Sequence, residues 1–114
     1  ATPPGVDAVM KGKGYTSLSI SQAIRLLEED RRAILVDTRN PADFRKGTLP
    51  GSVSIPEWEL DRKAPSLLPD KNAPVLVFCR TGARSWHTAQ RLAEMGYTHV
   101  YDVGGYLEWQ LGGM

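Results

Sequence analysis

A single cysteine stands in this chain of 114 residues. That excludes an intramolecular disulfide, a C-x-x-C redox pair and a thiolate-rich metal site. Histidine is almost as scarce, with two residues, and no spacing of His, Cys, Asp and Glu has the pattern of a metal centre. Neither a metal nor a cofactor is expected. No apolar run approaches the ~20 residues that span a bilayer as a helix, and no internal repeat is present. Charge of one sign is not in excess: 14 Lys and Arg oppose 13 Asp and Glu, for a formal net charge of +1. The basic residues are scattered, as on a solvated surface, so neither nucleic acid nor a membrane is an expected partner.

The length fits one compact domain, placed here at 15–114 and expected to be monomeric. It follows an extended lead-in at 1–14 that holds two prolines and three glycines. The lone cysteine suits the cytoplasm. The start Ala1-Thr2-Pro3-Pro4-Gly5 also fits removal of a signal peptide, which makes the bacterial periplasm the alternative.

Short apolar segments alternate with amphipathic ones. Residues 15–18 read as a first strand. Ser19-Ile20-Ser21-Gln22 has the spacing of a capping box, and Ile20, Ala23, Ile24 and Leu27 follow at helical intervals. Residues 33–37 form a continuous apolar run, as in a strand covered on both faces. Asn40-Pro41 opens a short helix that Gly47 ends. Residues 53–55 read as a short strand. In 57–72, Trp58, Leu60, Leu67 and Leu68 indicate one or two helical turns over the core. Residues 75–78 are the most strand-like segment; 85–95 are helical with Ala89, Leu92 and Ala93 inward, and 99–103 form a last strand. Gly104-Gly105 then turns the chain into a closing helix at 107–111. This alternation predicts an α/β fold with a mostly parallel sheet and helices on both faces, in which ligands bind beyond the carboxyl ends of the strands.

The lone cysteine lies at such an end, in Val75-Leu76-Val77-Phe78-Cys79-Arg80-Thr81-Gly82-Ala83-Arg84-Ser85. A free thiol is only about 3 % ionised at pH 7, and the thiolate is the nucleophile. A strand end fixes the sulfur, a tight loop can aim successive amides at it, and the next helix adds the positive end of its dipole. The plain alternative is a small buried hydrophobe, but such a residue has no need of Arg80, Gly82 and Arg84 as neighbours. Cys79 is therefore the candidate nucleophile, with Arg80, Thr81, Gly82, Ala83, Arg84 and Ser85 as the loop that binds its substrate. A cysteine hydrolase needs a base in hydrogen-bond reach. His87, in the first turn of a helix, and His99, at a strand start, both read as exposed surface residues. A phosphatase or arsenate-reductase loop carries its arginine six positions after the cysteine. Arg84 is five after Cys79, a smaller ring that suits one sulfur atom better than a phosphate.

These features together resemble the single-domain rhodaneses, a family of sulfurtransferases. Four segments carry the likeness. Leu35-Val36-Asp37-Thr38-Arg39-Asn40-Pro41-Ala42-Asp43-Phe44 is similar to the family's L-I/V-D-V/T-R-x-x-x-E/D-F/Y. Gly47-Thr48-Leu49-Pro50-Gly51-Ser52-Val53-Ser54-Ile55-Pro56 is similar to G-H-I-P-G-A-x-N-I-P. The Cys79 loop is the third, and Gly104-Gly105-Tyr106-Leu107-Glu108-Trp109, like G-G-x-x-x-W, is the fourth.

The resemblance implies a rhodanese-like, three-layer fold with a five-stranded sheet. It also implies a two-step reaction. Cys79 takes the outer sulfur of a small anionic donor such as thiosulfate as a persulfide, then yields it to cyanide, a small thiol or a protein cysteine. A weakly catalytic or non-catalytic module for protein interaction is the alternative. By the same resemblance Arg80 and Arg84 line the rim, Arg80 to attract the donor, Arg84 either to join it or to brace the loop on a carboxylate such as Asp37. Asp37 and Arg39 follow a strand's end and read as a structural ion pair behind the site, with substrate contact as the alternative. Trp58 and Trp86 are rim candidates, with core packing equally open for Trp58. Thr48 departs from the family's histidine, and Thr81 replaces a lysine of some thiosulfate-using members. The segment between Val100 and Gly104 is one residue short, so the Gly-Gly turn is aimed differently.

Overall fold

The computed structural model describes residues 14–112; apart from Gly14, the expected lead-in at 1–14 lies outside the described residues. Five strands form one sheet: β1 (Tyr15–Ser17), β2 (Ile34–Asp37), β3 (Val53–Ser54), β4 (Val75–Cys79) and β5 (Val100–Gly105). Their order across the sheet is β1-β5-β4-β2-β3. Every pairing is parallel, where the sequence predicted only a mostly parallel sheet. Among the described residues five α-helices cover it: α1 (Ile20–Glu29), α2 (Pro41–Lys46), α3 (Leu60–Leu67), α4 (Ser85–Glu94) and α5 (Tyr106–Leu111).

The central strand shows why three layers form. Every residue of β4 is buried. Leu76 and Phe78 join the cluster that includes Ala23, Leu26 and Trp109 from α1 and α5. Val75 and Val77 join the opposite cluster, with Leu60 and Ala64 of α3 and Ala89 and Leu92 of α4. Alternate side chains of one strand thus feed two cores.

Local signals set the helix starts. Ser19 accepts from Gln22 N–H at 3.2 Å while Gln22 Oε1 accepts from Ser19 N–H at 2.9 Å, the reciprocal bonds of a capping box. The apolar stripe of α1 is centred one residue off the expected positions: Ala23 and Leu26 are buried, and Ile20, Ile24 and Leu27 pack at the edge. Asn40 caps α2 through a 2.8 Å bond from Asp43 N–H.

The segment after Pro56 forms the expected helical turns over the core, with two of its apolar residues turned outward. A 3-10 turn (Glu57–Glu59) leads directly into α3, an eight-residue helix with Pro65 inside. Leu60, Ala64 and Leu68 face the core, whereas Leu67 is 40 % and Trp58 69 % exposed. These outward positions hid the buried face of the helix from the sequence pattern. Tyr97 Oη closes the helix end by donating to Leu68 O at 2.7 Å and Ala64 O at 3.2 Å.

Candidate active site

Cys79 ends β4, and α4 begins at Ser85. The loop between them therefore lies at the carboxyl edge of the sheet and the amino end of a ten-residue helix, where partial positive charge is concentrated. Gly82 turns the loop back: its φ is +89°, a left-handed conformation that glycine adopts without strain. Its N–H then donates to Cys79 Sγ at 3.0 Å. Among the described residues only this amide meets hydrogen-bond geometry with the sulfur, whereas the sequence pointed to several successive amides of the loop. Cys79 itself is buried, 8 % exposed.

The ends of the neighbouring strands hold this loop in place. Leu107 N–H donates to Arg80 O at 3.2 Å, tying the loop to the start of α5. Gly105 packs directly under Thr81 and Gly82: a Cβ there would lie 2.4 Å from Thr81 C and 2.7 Å from Gly82 N. Asp102 anchors both sides, accepting from Ser85 Oγ at 2.6 Å and Gly104 N–H at 3.1 Å. Gly104 and Gly105 complete β5 rather than forming a separate turn after it.

Asp37 and Arg39 form a buried ion pair, Oδ2 to Nη2 at 2.8 Å, with side chains 0 % and 8 % exposed. The carboxylate also accepts from Arg39 N–H at 2.9 Å and Thr48 Oγ1 at 2.8 Å. Arg39 donates to Gly47 O and stacks over the Tyr106 ring, 4.1 Å from its centroid. The Asp37 carboxylate holds the guanidinium charged above its ordinary range, against the opposing effect of burial. Thr48, in the family's histidine position, serves here as a hydroxyl donor to this pair.

Arg84 does not reach for Asp37. It pairs with Glu57, Nη2 to Oε1 at 3.0 Å and Nε to Oε2 at 3.3 Å, because Asp37 is already enclosed by Arg39 and Thr48. Glu57 raises the pKa of Arg84 first by hydrogen bonding and then by charge, and Cys79 contributes to the same rise. Arg84 is therefore within electrostatic reach of the sulfur. Arg80 is exposed and has no carboxylate partner among the described residues.

Trp58 is not a core residue. It lines a groove of about 350 Å³ with Glu57, Leu60, Asp61, His87, Thr88 and Arg91. Trp86, 37 % exposed, stacks on His87 with ring centroids 3.6 Å apart. Both histidines are exposed, and neither is hydrogen-bonded to Cys79; His99 Nδ1 pairs with Thr98 Oγ1. Thr81 and Ala83 are exposed, with Ala83 N–H reaching Thr81 Oγ1 at 3.4 Å. Sequence reasoning missed the roles of Glu57 and Asp102, whose only signal was position, one after Pro56 and one near the end of the last strand; Gly105 stood out there as part of a turn, not as the floor of the loop. Among the described residues no group of three or more His, Cys, Asp or Glu side chains has the arrangement of a metal site, and no helix is long and apolar enough to cross a membrane.

The site thus brings together a sulfur at a strand end, one amide aimed at it and two arginines in the loop that follows. Residues 19–111 match the family model described as a rhodanese-like domain; the chain belongs to the rhodanese-like family. It is 37 % identical over 70 residues to the thiosulfate sulfurtransferase PspE of Escherichia coli, covering 61 % of this chain and 67 % of that protein. It is 30 % identical to a sulfurtransferase of Allochromatium vinosum, covering 86 % of this chain and 88 % of that one. The human single-domain sulfurtransferase TSTD1 superposes with a TM-score of 0.76 at 26 % identity, over 86 % of this chain and 97 % of its own. The fold is thus the rhodanese-like α/β fold, and the relatives place the chain among sulfurtransferase-type enzymes.

Proposed function

We propose that this protein moves a sulfane sulfur from thiosulfate or a related small anion, through a persulfide on Cys79, to a thiophilic acceptor such as cyanide, a small thiol or a protein cysteine. The observation that carries this reading is the 3.0 Å bond from Gly82 N–H to Cys79 Sγ, in a loop whose Arg80 is open to solvent. The Cys79 thiolate attacks the outer sulfur of the donor. A new S–S bond forms, the bond to the sulfonyl sulfur breaks, and sulfite departs with the electron pair. The acceptor then attacks the outer sulfur of the persulfide. With cyanide the products are thiocyanate and the original thiolate.

In this reading each part of the site has a task. The Gly82 amide stabilises the anionic sulfur, and the amino end of α4 adds to it. Arg80 attracts the donor. Asp37 and Arg39, with Thr48, hold the ends of the strands and never meet the substrate. Trp58 and Trp86 flank the approach. Intact-protein mass spectrometry after incubation with thiosulfate tests the proposal. The expected result is a gain of one sulfur atom, removed by cyanide and absent from Cys79→Ser. A protein that gains no sulfur from thiosulfate, a thiosulfonate or an inorganic polysulfide overturns it.

A further inference from the structure

The two arginines of the Cys79 loop do not carry equal free charge. Arg84 meets Glu57 at two points, at 3.0 and 3.3 Å, a contact that joins the loop to the 3-10 turn before α3. Arg80 has no such partner among the described residues. The other loop side chains that face outward, Thr81 and Ala83, are neutral. Glu57 itself is 36 % exposed and lines the open groove beside the loop, so its charge is felt on the approach rather than sealed beneath it. With Glu57 ionised, the rim presents one net positive charge where the sequence supplies two.

We propose that Glu57 is a specificity-determining residue: by neutralising Arg84 it biases the Cys79 site against doubly charged sulfur donors and toward those bearing one negative charge or none, such as thiosulfonates and organic persulfides. The proposal rests on the sulfurtransferase reading above. Coulombic energy scales with the product of the charges. Removing the negative charge of Glu57 therefore helps a dianion twice as much in free energy as a monoanion, and the rate factor for the dianion is the square of that for the monoanion. A purely bracing role lacks this signature, because a loosened loop handicaps both donors alike.

The test compares thiosulfate, a dianion, with methanethiosulfonate, a monoanion that offers the same outer sulfur on a sulfonyl centre. Single-turnover sulfur loading of Cys79 is followed in the wild type, Glu57→Gln and Glu57→Asp. Glu57→Gln is expected to speed loading by about threefold for the monoanion and about tenfold for the dianion, the gain for the dianion shrinking as salt is raised to about 1 M. Glu57→Asp keeps the charge and is expected to retain the wild-type ratio between donors, whatever its absolute rate. Loading that proceeds with the same donor ratio in the wild type and Glu57→Gln overturns the proposal and leaves the sulfurtransferase reading standing. A Glu57→Asp ratio equal to that of Glu57→Gln overturns it as well. Failure of every form to load sulfur from either donor overturns the proposal, and failure with an inorganic polysulfide as well removes the sulfurtransferase reading with it.

Discussion

Gly105 and Thr81 meet backbone against backbone. A methyl group on Gly105 would lie 2.4 Å from the Thr81 carbonyl carbon, well inside van der Waals contact. The obstacle is space alone, since Gly105 has φ −113° and ψ 144°, values open to any residue. The floor of the Cys79 loop is therefore another strand's main chain, and only glycine leaves room for it.

Gly105→Ala is accordingly expected to displace Thr81 and Gly82 and to break the Gly82–Cys79 contact while the sheet stays folded. Sulfur loading should fall at least about tenfold, which corresponds to about 1.4 kcal/mol, with the far-ultraviolet circular dichroism unchanged. Loading at the wild-type rate would show that the loop reaches its working shape without that floor.

The Asp37–Arg39 pair tests stability rather than chemistry. Asp37→Ala leaves a nearly buried guanidinium without its carboxylate and strands the Thr48 hydroxyl. The expected loss is about 3–5 kcal/mol in urea unfolding. Thr48→Val removes one hydroxyl donor from a carboxylate that keeps its arginine, and should cost about 1.5–3 kcal/mol, the range for a hydrogen bond to a charged group. Equal losses in the two variants would contradict the ion pair as the dominant contribution.

Acid should weaken the α3–α4 contact through Asp61. Two bonds of 2.9 Å from Arg91 lower the Asp61 pKa from its ordinary 3.8, by hydrogen bonding first, with the nearby charge adding to it. A carboxylate whose folded pKa is depressed stabilises the protein above its unfolded pKa, and that stability is lost as pH falls through the folded value. Stability measured from pH 6 downward should decline less steeply in Asp61→Asn than in the wild type, below about pH 4. The difference should shrink in high salt because both partners are exposed. Parallel curves for the two proteins would remove Asp61 from the acid response.

The elements with short-range signals were legible in the sequence. Ser19 and Gln22 announced α1, Asn40-Pro41 announced α2, and the unbroken apolar run through Phe78 announced the central strand. Cys79 stood out because its neighbours served no packing purpose. What escaped was long-range: the Arg84–Glu57 pair spans 27 positions, and Ser85–Asp102 spans 17. No local pattern records which carboxylate a loop arginine finds. Arg84 braces the loop on a carboxylate, one of its two expected roles, but on Glu57 and not Asp37, whose enclosure by Arg39 and Thr48 exists only in three dimensions. The two turns of α3 were legible from Leu60 and Leu68, but not its face, because Trp58 and Leu67 point outward.

The strand order has a consequence for biosynthesis. Among the described strands β1 has a single neighbour, β5, so β1, made early, waits for the much later residues 100–105 before it can dock. The same late segment supplies the glycine floor under the Cys79 loop. A nascent chain halted before that point would carry its thiol on an unfinished scaffold, with a strand edge unpaired and open to aggregation. Completion of the Cys79 loop and closure of this sheet are thus one event, timed by the emergence of β5.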